Sequence, residues 1–228
     1  YYYTRNDAGD VLVHHYEAGT TTSLAADQNL PGAGKSGLTY TTAPETIANY
    51  TVVNATPTDH TGVYPASGVR TVTYEYRRDD AGNVTVYHKS VYDGSDLTAP
   101  NVMDGTRKLG LPYTTNPETY ADFEVDTVPS NANGTFASGA QTVTYLYKRK
   151  ISGGVTINYL DNHGNSIETP DDITGTENVG LPYTTSPKTI PYYDLITVPT
   201  NANGVFTVAP ITVDYLSLIH ISEPTRPY

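Results

Sequence analysis

Three short markers recur along this chain in one order and at nearly one spacing, and that repetition restricts its fold more than any other feature. Tyr40-Thr41-Thr42-Ala43-Pro44 returns as Tyr113-Thr114-Thr115-Asn116-Pro117 and again as Tyr183-Thr184-Thr185-Ser186-Pro187, in steps of 73 and 70 residues. Thr71-Val72-Thr73-Tyr74-Glu75-Tyr76 returns as Thr142-Val143-Thr144-Tyr145-Leu146-Tyr147, then in shortened form as Thr212-Val213-Asp214-Tyr215-Leu216. Asn131-Ala132-Asn133-Gly134-Thr135-Phe136 returns as Asn201-Ala202-Asn203-Gly204-Val205-Phe206, and the first copy keeps only Gly62 and Tyr64 of it. The markers predict three tandem modules of about 70 residues, over 11–78, 84–150 and 155–216. Residues 1–10 align with Tyr74 to Asn83 and read as the end of a preceding repeat.

Each module reads as strands. In its last strand Val72, Tyr74 and Tyr76 fall on one face and Thr71, Thr73 and Glu75 on the other; Val143, Tyr145 and Tyr147 repeat the split. Period 2 with a β-branched and aromatic face marks a half-buried strand. The opening strand alternates likewise, Val84 and Val86 against Thr85 and Tyr87, then Val155 and Ile157 against Thr156 and Asn158. A middle strand is expected from Phe123 to Val128 and from Tyr193 to Val198, each stopped by a proline. Asn133-Gly134 and Asn203-Gly204 are turn signals between the middle and last strands. Asp161-Asn162-His163-Gly164-Asn165 reads as a hairpin turn. Thr42-Ala43-Pro44-Glu45 and Thr115-Asn116-Pro117-Glu118 fit a capping box with Pro in the first turn, so one or two turns of helix are expected there.

Composition explains what fills such modules. Tyr carries the aromatic load, 21 residues against 3 Phe and no Trp, and it favours strands. The 19 Gly and 16 Pro break the chain too often for a long helix. Cys is absent, which rules out a disulfide framework. The net charge of −11 carries no basic stripe, so nucleic acid and anionic membrane are poor partners. No apolar run approaches a membrane span, and no membrane insertion is expected. A module of this size buries only about 60% of its extended surface, so the Tyr and Val faces must supply most of its core. Three such modules, each roughly 28 Å across, predict an elongated array. Residues 217–228 depart from the repeat, resemble a translated sequencing adapter, and are expected to be a non-native, disordered tail. The chain itself reads as a fragment from inside a longer polypeptide.

The chemistry-bearing residues point away from catalysis. Nucleophile-elbow, zinc-protease and phosphate-loop motifs are all missing. His15 and His88 occupy the slot that Tyr159 holds in the third module, a swap that flat-ring packing tolerates and a metal or proton-transfer role does not. Asp79-Asp80-Ala81-Gly82-Asn83 and Asp93-Gly94-Ser95-Asp96 lack the ligand alternation of a calcium loop and read as turns. Neither cofactor nor metal is expected. Tyr combines an apolar ring with a polar tip and so can stack on a sugar and hydrogen-bond it. Tyr16 and Tyr87, on the Thr-bearing faces of opening strands, and Tyr92, beside a turn, are the candidate ligand-binding residues.

Taken together, an opening Val-Thr-Val strand, Tyr-Thr-Thr-x-Pro, the Asn-Ala-Asn-Gly-x-Phe segment and the closing Thr-Val-Thr-Tyr-x-Tyr strand resemble the MucBP (mucin-binding protein) repeat of Gram-positive surface adhesins. Residues 84–150 and 155–216 match well; 11–78 diverges, with a longer loop around Leu30 to Lys35. The resemblance implies a mainly β fold (α+β at most) of β-grasp-like modules. It implies an exported, cell-wall-attached surface protein without enzymatic activity. It further implies adhesion to mucin or related extracellular glycoproteins and glycans, with no obligate oligomer. The other function left open is that of a passive spacer presenting a separate head domain.

Overall fold

A computed structural model describes residues 1–219. Among them there is no helix; three modules follow in tandem, each built of six strands. The first holds β1 (Asp10–Glu17), β2 (Gln28–Leu30), β3 (Thr39–Thr41), β4 (Tyr50–Val52), β5 (Thr61–Val63) and β6 (Val69–Arg78). The second holds β7 (Val84–Ser90), β8 (Asn101–Met103), β9 (Pro112–Thr114), β10 (Phe123–Thr127), β11 (Asn133–Thr135) and β12 (Gln141–Arg149). The third holds β13 (Val155–Asp161), β14 (Ser166–Ile173), β15 (Pro182–Thr184), β16 (Tyr193–Thr197), β17 (Asn203–Val205) and β18 (Ile211–Ile219). By contact the chain groups into two compact units. Unit 1 is Tyr1–Val86, Asn101–Thr115 and Ser130–Val143; unit 2 is Tyr87–Pro100, Asn116–Pro129 and everything from Thr144 onward.

Every module repeats one sheet. Its order is β2-β1-β6-β4 in the first copy, with β10-β12-β7-β8 and β14-β13-β18-β16 its counterparts. The opening and closing strands lie at the centre, and they run parallel: Val13 pairs with Val72 and His15 with Tyr74, as Ile157 pairs with Val213 and Tyr159 with Tyr215. A parallel pair needs a crossover, and the intervening chain supplies it. A two-stranded ribbon in that crossover, β3–β5, β9–β11 or β15–β17, belongs to each module beside its main sheet. In register, the alternation read from sequence puts Val11, Val13, His15, Val72, Tyr74 and Tyr76 on one buried face. The flat-ring slot is occupied alike in all three copies. His15 stacks on Tyr74 at 5.7 Å and 13°, His88 on Tyr145 at 5.3 Å and 6°, and Tyr159 on Tyr215 at 6.0 Å and 16°.

Buried phenols need partners, and here they take them from the crossover. Tyr76 Oη donates to the Glu45 carbonyl at 3.0 Å. Tyr147 Oη accepts the Glu118 N–H at 2.8 Å and donates to the Glu118 carbonyl at 3.2 Å. This corrects the expectation of a short helix after the Tyr-Thr-Thr marker. The would-be cap, Thr42, sends its hydroxyl to the His60 carbonyl and pairs with Tyr74 Oη at 2.8 Å. The segment's polar groups are satisfied by tertiary bonds, so no helix forms.

The Asn-Gly pairs are a second correction. Asn133-Gly134 and Asn203-Gly204 lie inside β11 and β17, and neither glycine has a positive φ. Glycine is required there by proximity. A Cβ on Gly134 would stand 2.7 Å from Tyr113 Oη, and on Gly204 2.9 Å from Tyr183 Oη; Gly62 faces Tyr40 in the same way at 3.0 Å. Those tyrosines, one from each Tyr-Thr-Thr marker, are buried across the ribbon. Their hydroxyls donate to the carbonyls of Asp59, Asn131 and Asn201. The expected middle strands and the Asp161 hairpin turn are present, Gly164 supplying φ 84° to the latter. Of the tail expected to be disordered, Ser217, Leu218 and Ile219 instead extend β18, pairing with Leu195, Asp194 and Tyr193. The rest of it lies outside the described residues.

Two predictions follow from this core. Gly134→Ala should cost about 1–3 kcal/mol, the range for overpacking, in a denaturant melt. Gly139→Ala, whose Cβ would meet nothing within 4 Å, should be nearly neutral. Equal effects at the two sites would show that contact with the Tyr113 ring is not the constraint.

The second concerns acid. Burial holds the His15 imidazole below its ordinary value of 6.5, outweighing the pull of Glu45 and Asp27, and its Nε2 has no hydrogen-bond partner. The unfolded chain therefore binds the proton more readily. The stability this group contributes is whole above pH 6.5 and drains as pH falls through its lowered native value. Thermal melts of the protein between pH 7.5 and pH 5 should lose stability, and His15→Phe should lose measurably less. An unchanged pH slope in that variant would rule out the buried imidazole as a cause.

Candidate functional site

The face of each sheet opposite the core is where ligand-binding residues were expected, and two of the three candidates are on it. In β1 the outward positions are Leu12, His14 and Tyr16, set beside Thr71, Thr73 and Glu75 of β6. His14 and Tyr16, two residues apart on one strand, lie on the same face. Their rings stack at 5.0 Å and 12°, and His14 Nδ1 sits 2.8 Å from Asp27 Oδ1. In β7 the outward positions are Thr85, Tyr87 and Lys89. Lys89 Nζ lies 5.0 Å from the Tyr87 ring centre and 2.8 Å from Asp96 Oδ1. The third module has no aromatic ring at these positions of β13: Thr156 and Asn158 donate to Asp172 and Asp214, each at 2.8 Å. A half-exposed ring flanked by hydroxyls, a carboxylate and an ammonium can take the C–H face of a sugar and bond its hydroxyls. Among the described residues, no group of three or more His, Asp and Glu is placed to hold a metal ion.

Tyr92 is differently placed. Its ring is 54% exposed. Its hydroxyl is already engaged within unit 2, donating to Glu177 Oε2 at 3.2 Å and accepting the Arg149 N–H at 3.2 Å. Tyr92 shares unit 2 with Tyr87, while Tyr16 belongs to unit 1.

The contacts of Tyr92 belong to a joint that sequence reasoning passed over. At the ends of β6 and β12 an arginine reaches a carbonyl in the module that follows. Arg78 Nη1 donates to the Leu109 carbonyl at 3.0 Å, and Arg149 Nη1 to the Val179 carbonyl at 2.9 Å. Arg5 donates to the Ser36 carbonyl at 2.9 Å, the same bond made from the aligned segment at the start of the chain. The guanidinium of Arg78 lies 4.5 Å from the Tyr50 ring centre and that of Arg149 5.0 Å from the Phe123 ring centre. Backbone bonds complete the joint: Ala8, Ala81 and Ser152 each donate to the carbonyl of Gly32, Gly105 and Thr176 respectively, at 2.8–2.9 Å. At Gly105 a Cβ would come within 2.4 Å of the Ala81 carbonyl, so glycine permits the close approach. A signal was present in the repeat itself, since Arg5, Arg78 and Arg149 hold one repeat position.

The MucBP domain is matched three times, at residues 10–77, 83–148 and 154–216. Internalin J of Listeria monocytogenes is similar over 211 residues. The serovar 1/2a protein is 35% identical, covering 90% of this chain and 24% of its own length; the serotype 4b protein is 34% identical over 90% and 22%. The chain thus spans about a quarter of the length of these curated relatives. Among solved structures, the Bacillus anthracis TIE protein aligns with 92% of this chain and 51% of its own, at 10% identity and a TM-score of 0.46. With three matched copies accounting for most of its length, the chain belongs to the MucBP domain family.

Proposed function

We propose that these modules are non-catalytic binding repeats of an extracellular, cell-wall-attached surface protein of a Gram-positive bacterium, and that they adhere to mucin-type glycoproteins. The observation that carries the reading is triple family membership on a chain 35% identical to Internalin J of Listeria monocytogenes. The outward rings of Tyr16 and Tyr87 support it, because they are unclaimed by the core and have polar neighbours of the kind a glycan needs. With a net charge of −11, long-range attraction to an acidic mucin is unfavourable. Recognition must therefore come from short-range stacking, hydrogen bonds and local charge.

The second reading, a spacer that presents a separate head, is favoured by one specific observation. The joint bonds of Arg5, Arg78 and Arg149 recur at each passage from one repeat to the next. A chain selected only to bind has no need of such regularity.

Retention of the whole chain on immobilised mucin distinguishes the two. Adhesion predicts saturable retention that disappears when the mucin is enzymatically deglycosylated; a spacer predicts none at any concentration. Within the adhesive reading, the Tyr16→Ala, Tyr87→Ala double variant should weaken retention about tenfold, the equivalent of ~1.4 kcal/mol. Its melting temperature should hold, because both rings lie away from the core. Undiminished retention in a folded double variant would move the binding surface off these strands.

A further inference from the structure

The two joints downstream of full modules are built alike in backbone but differ in charge. In unit 2, Lys148 Nζ lies 3.1 Å from Glu177 Oε1 and 3.5 Å from Glu124 Oε1. Tyr92 covers the pair, its hydroxyl on Glu177. The lysine of that joint is paired with two carboxylates. In unit 1 the position of Lys148 is Arg77, and both its acidic partners are gone: Thr51 stands for Glu124 and Arg107 for Glu177. Gly19 stands for Tyr92, with open space around it. Compared with the other joint, this one lacks the aromatic cover and two carboxylates, carries arginine at the Lys148 and Glu177 positions, and has Glu17 at the position of Ser90.

What remains is a pocket of about 160 Å³ lined by Arg77, Arg78 and Arg107, with Glu17, Ala18 and Val53 beside them. Three arginines and one glutamate thus line it, in a chain whose net charge is −11. Arg78 is fixed: its Nη1 holds the Leu109 carbonyl and its Nη2 the Tyr50 hydroxyl, at 3.0 and 2.6 Å. Arg77 and Arg107 are exposed, and among the described residues neither side chain has a hydrogen-bonding or ionic partner. Among the described residues Arg107 is also one of three non-glycine positions with a left-handed backbone, φ 56°, its N–H donated to Asp80 Oδ1 at 2.9 Å. Glu177, its counterpart, does not adopt that conformation. Like charges gathered in excess of their counter-ions are unfavourable, and strain of this kind collects where a ligand is met. Arginine is the side chain suited to forked recognition of a planar or tetrahedral oxyanion.

We propose that this pocket binds the carboxylate or sulfate of an acidic sugar, resting on the reading that the modules adhere to glycans. Its volume is that of about five waters, enough for one oxyanion and the carbon that bears it. Ala18 and Val53 offer an apolar edge to the C–H groups of the sugar ring. The surrounding negative charge repels polyanions such as nucleic acid, so a single charge on an otherwise neutral glycan is the class that fits.

The test is titration of the whole chain by calorimetry with 3′-sialyllactose, 6-sulfo-N-acetyllactosamine and neutral lactose. Saturable binding of either acidic probe and none of lactose is expected, and the two acidic arms report which oxyanion is preferred. Arg107→Glu, which rebuilds the acid–base pair of the other joint, should weaken binding at least tenfold. Arg70→Glu makes the same charge change on an exposed arginine outside the pocket and should alter binding less than twofold. Thermal melts establish that both variants are folded, and Arg77→Ala provides a second reading of the site. Absence of saturable acidic-sugar binding, equal binding of lactose, or equal loss in Arg107→Glu and Arg70→Glu would overturn the proposal. Mucin retention that survives both Arg107→Glu and removal of sialic acid and sulfate would also overturn it, yet leave the adhesive reading intact. Failure of the wild-type chain to bind mucin at all would remove both.

Discussion

The parallel pairing of each module's first and last strands is the constraint on which the rest depends. Those strands are separated by a crossover of about fifty residues, so their pairing closes a long loop and carries its entropy. The buried face has to compensate with close, well-ordered contact. It does so with β-branched side chains at one end and a stacked flat ring at the other: His15 on Tyr74, His88 on Tyr145, Tyr159 on Tyr215. Phenols suit a small module because they fill volume and tie down the crossover at once. Tyr76 and Tyr147 each reach from the central strand to the backbone of the Pro-bearing loop. A core of Leu and Phe would fill the same space and leave that loop's backbone unsatisfied.

This double use of tyrosine decides what was legible in the sequence. Alternation along the strands was legible, because a period of 2 is local and survives in any sheet. So was the interchange of His and Tyr at one slot, since comparison of the three copies makes a ring the common requirement. The helix after Tyr-Thr-Thr was misread because its capping residues are real helix signals in isolation. Thr42 answers to His60 and Tyr74 instead, partners 18 and 32 residues away. Asn-Gly was misread for the same reason. The local rule says glycine means positive φ; here glycine means that the ring of Tyr113 or Tyr183 passes directly over the backbone. Both errors are failures of a local reading where a distant phenol prevails.

Of the candidate ligand residues, Tyr16 and Tyr87 could be placed from alternation alone, since the outward face follows once the inward one is known. Tyr92 could not. Its role depends on Glu177, 85 residues later, and on the Arg149 N–H of the closing strand. The arginine joints were hidden for a related reason: Arg78 and Leu109 lie 31 residues apart and in different repeats. Only the recurrence of arginine at one repeat position marked them, and it became meaningful once a carbonyl was found waiting in each following module.

Repeats of this sort hold constant what folding requires and are free to vary elsewhere. Stacked rings, ribbon glycines and the arginine that crosses into the next module are present in successive copies. Charge at the joint differs between copies, at several positions together. Lys148, Glu124 and Glu177 form a balanced set; Arg77, Thr51 and Arg107 do not. A single exchange at such a place reads as drift, since exposed ion pairs contribute little to stability. The absence of both acids, Arg107 where Glu177 stands and Gly19 where Tyr92 stands act in one direction, and Glu17 where Ser90 stands offsets part of the charge. The first three leave arginine in excess and the pocket uncovered. An excess of arginine in an open pocket is the arrangement that a small anionic group would need for forked hydrogen bonding.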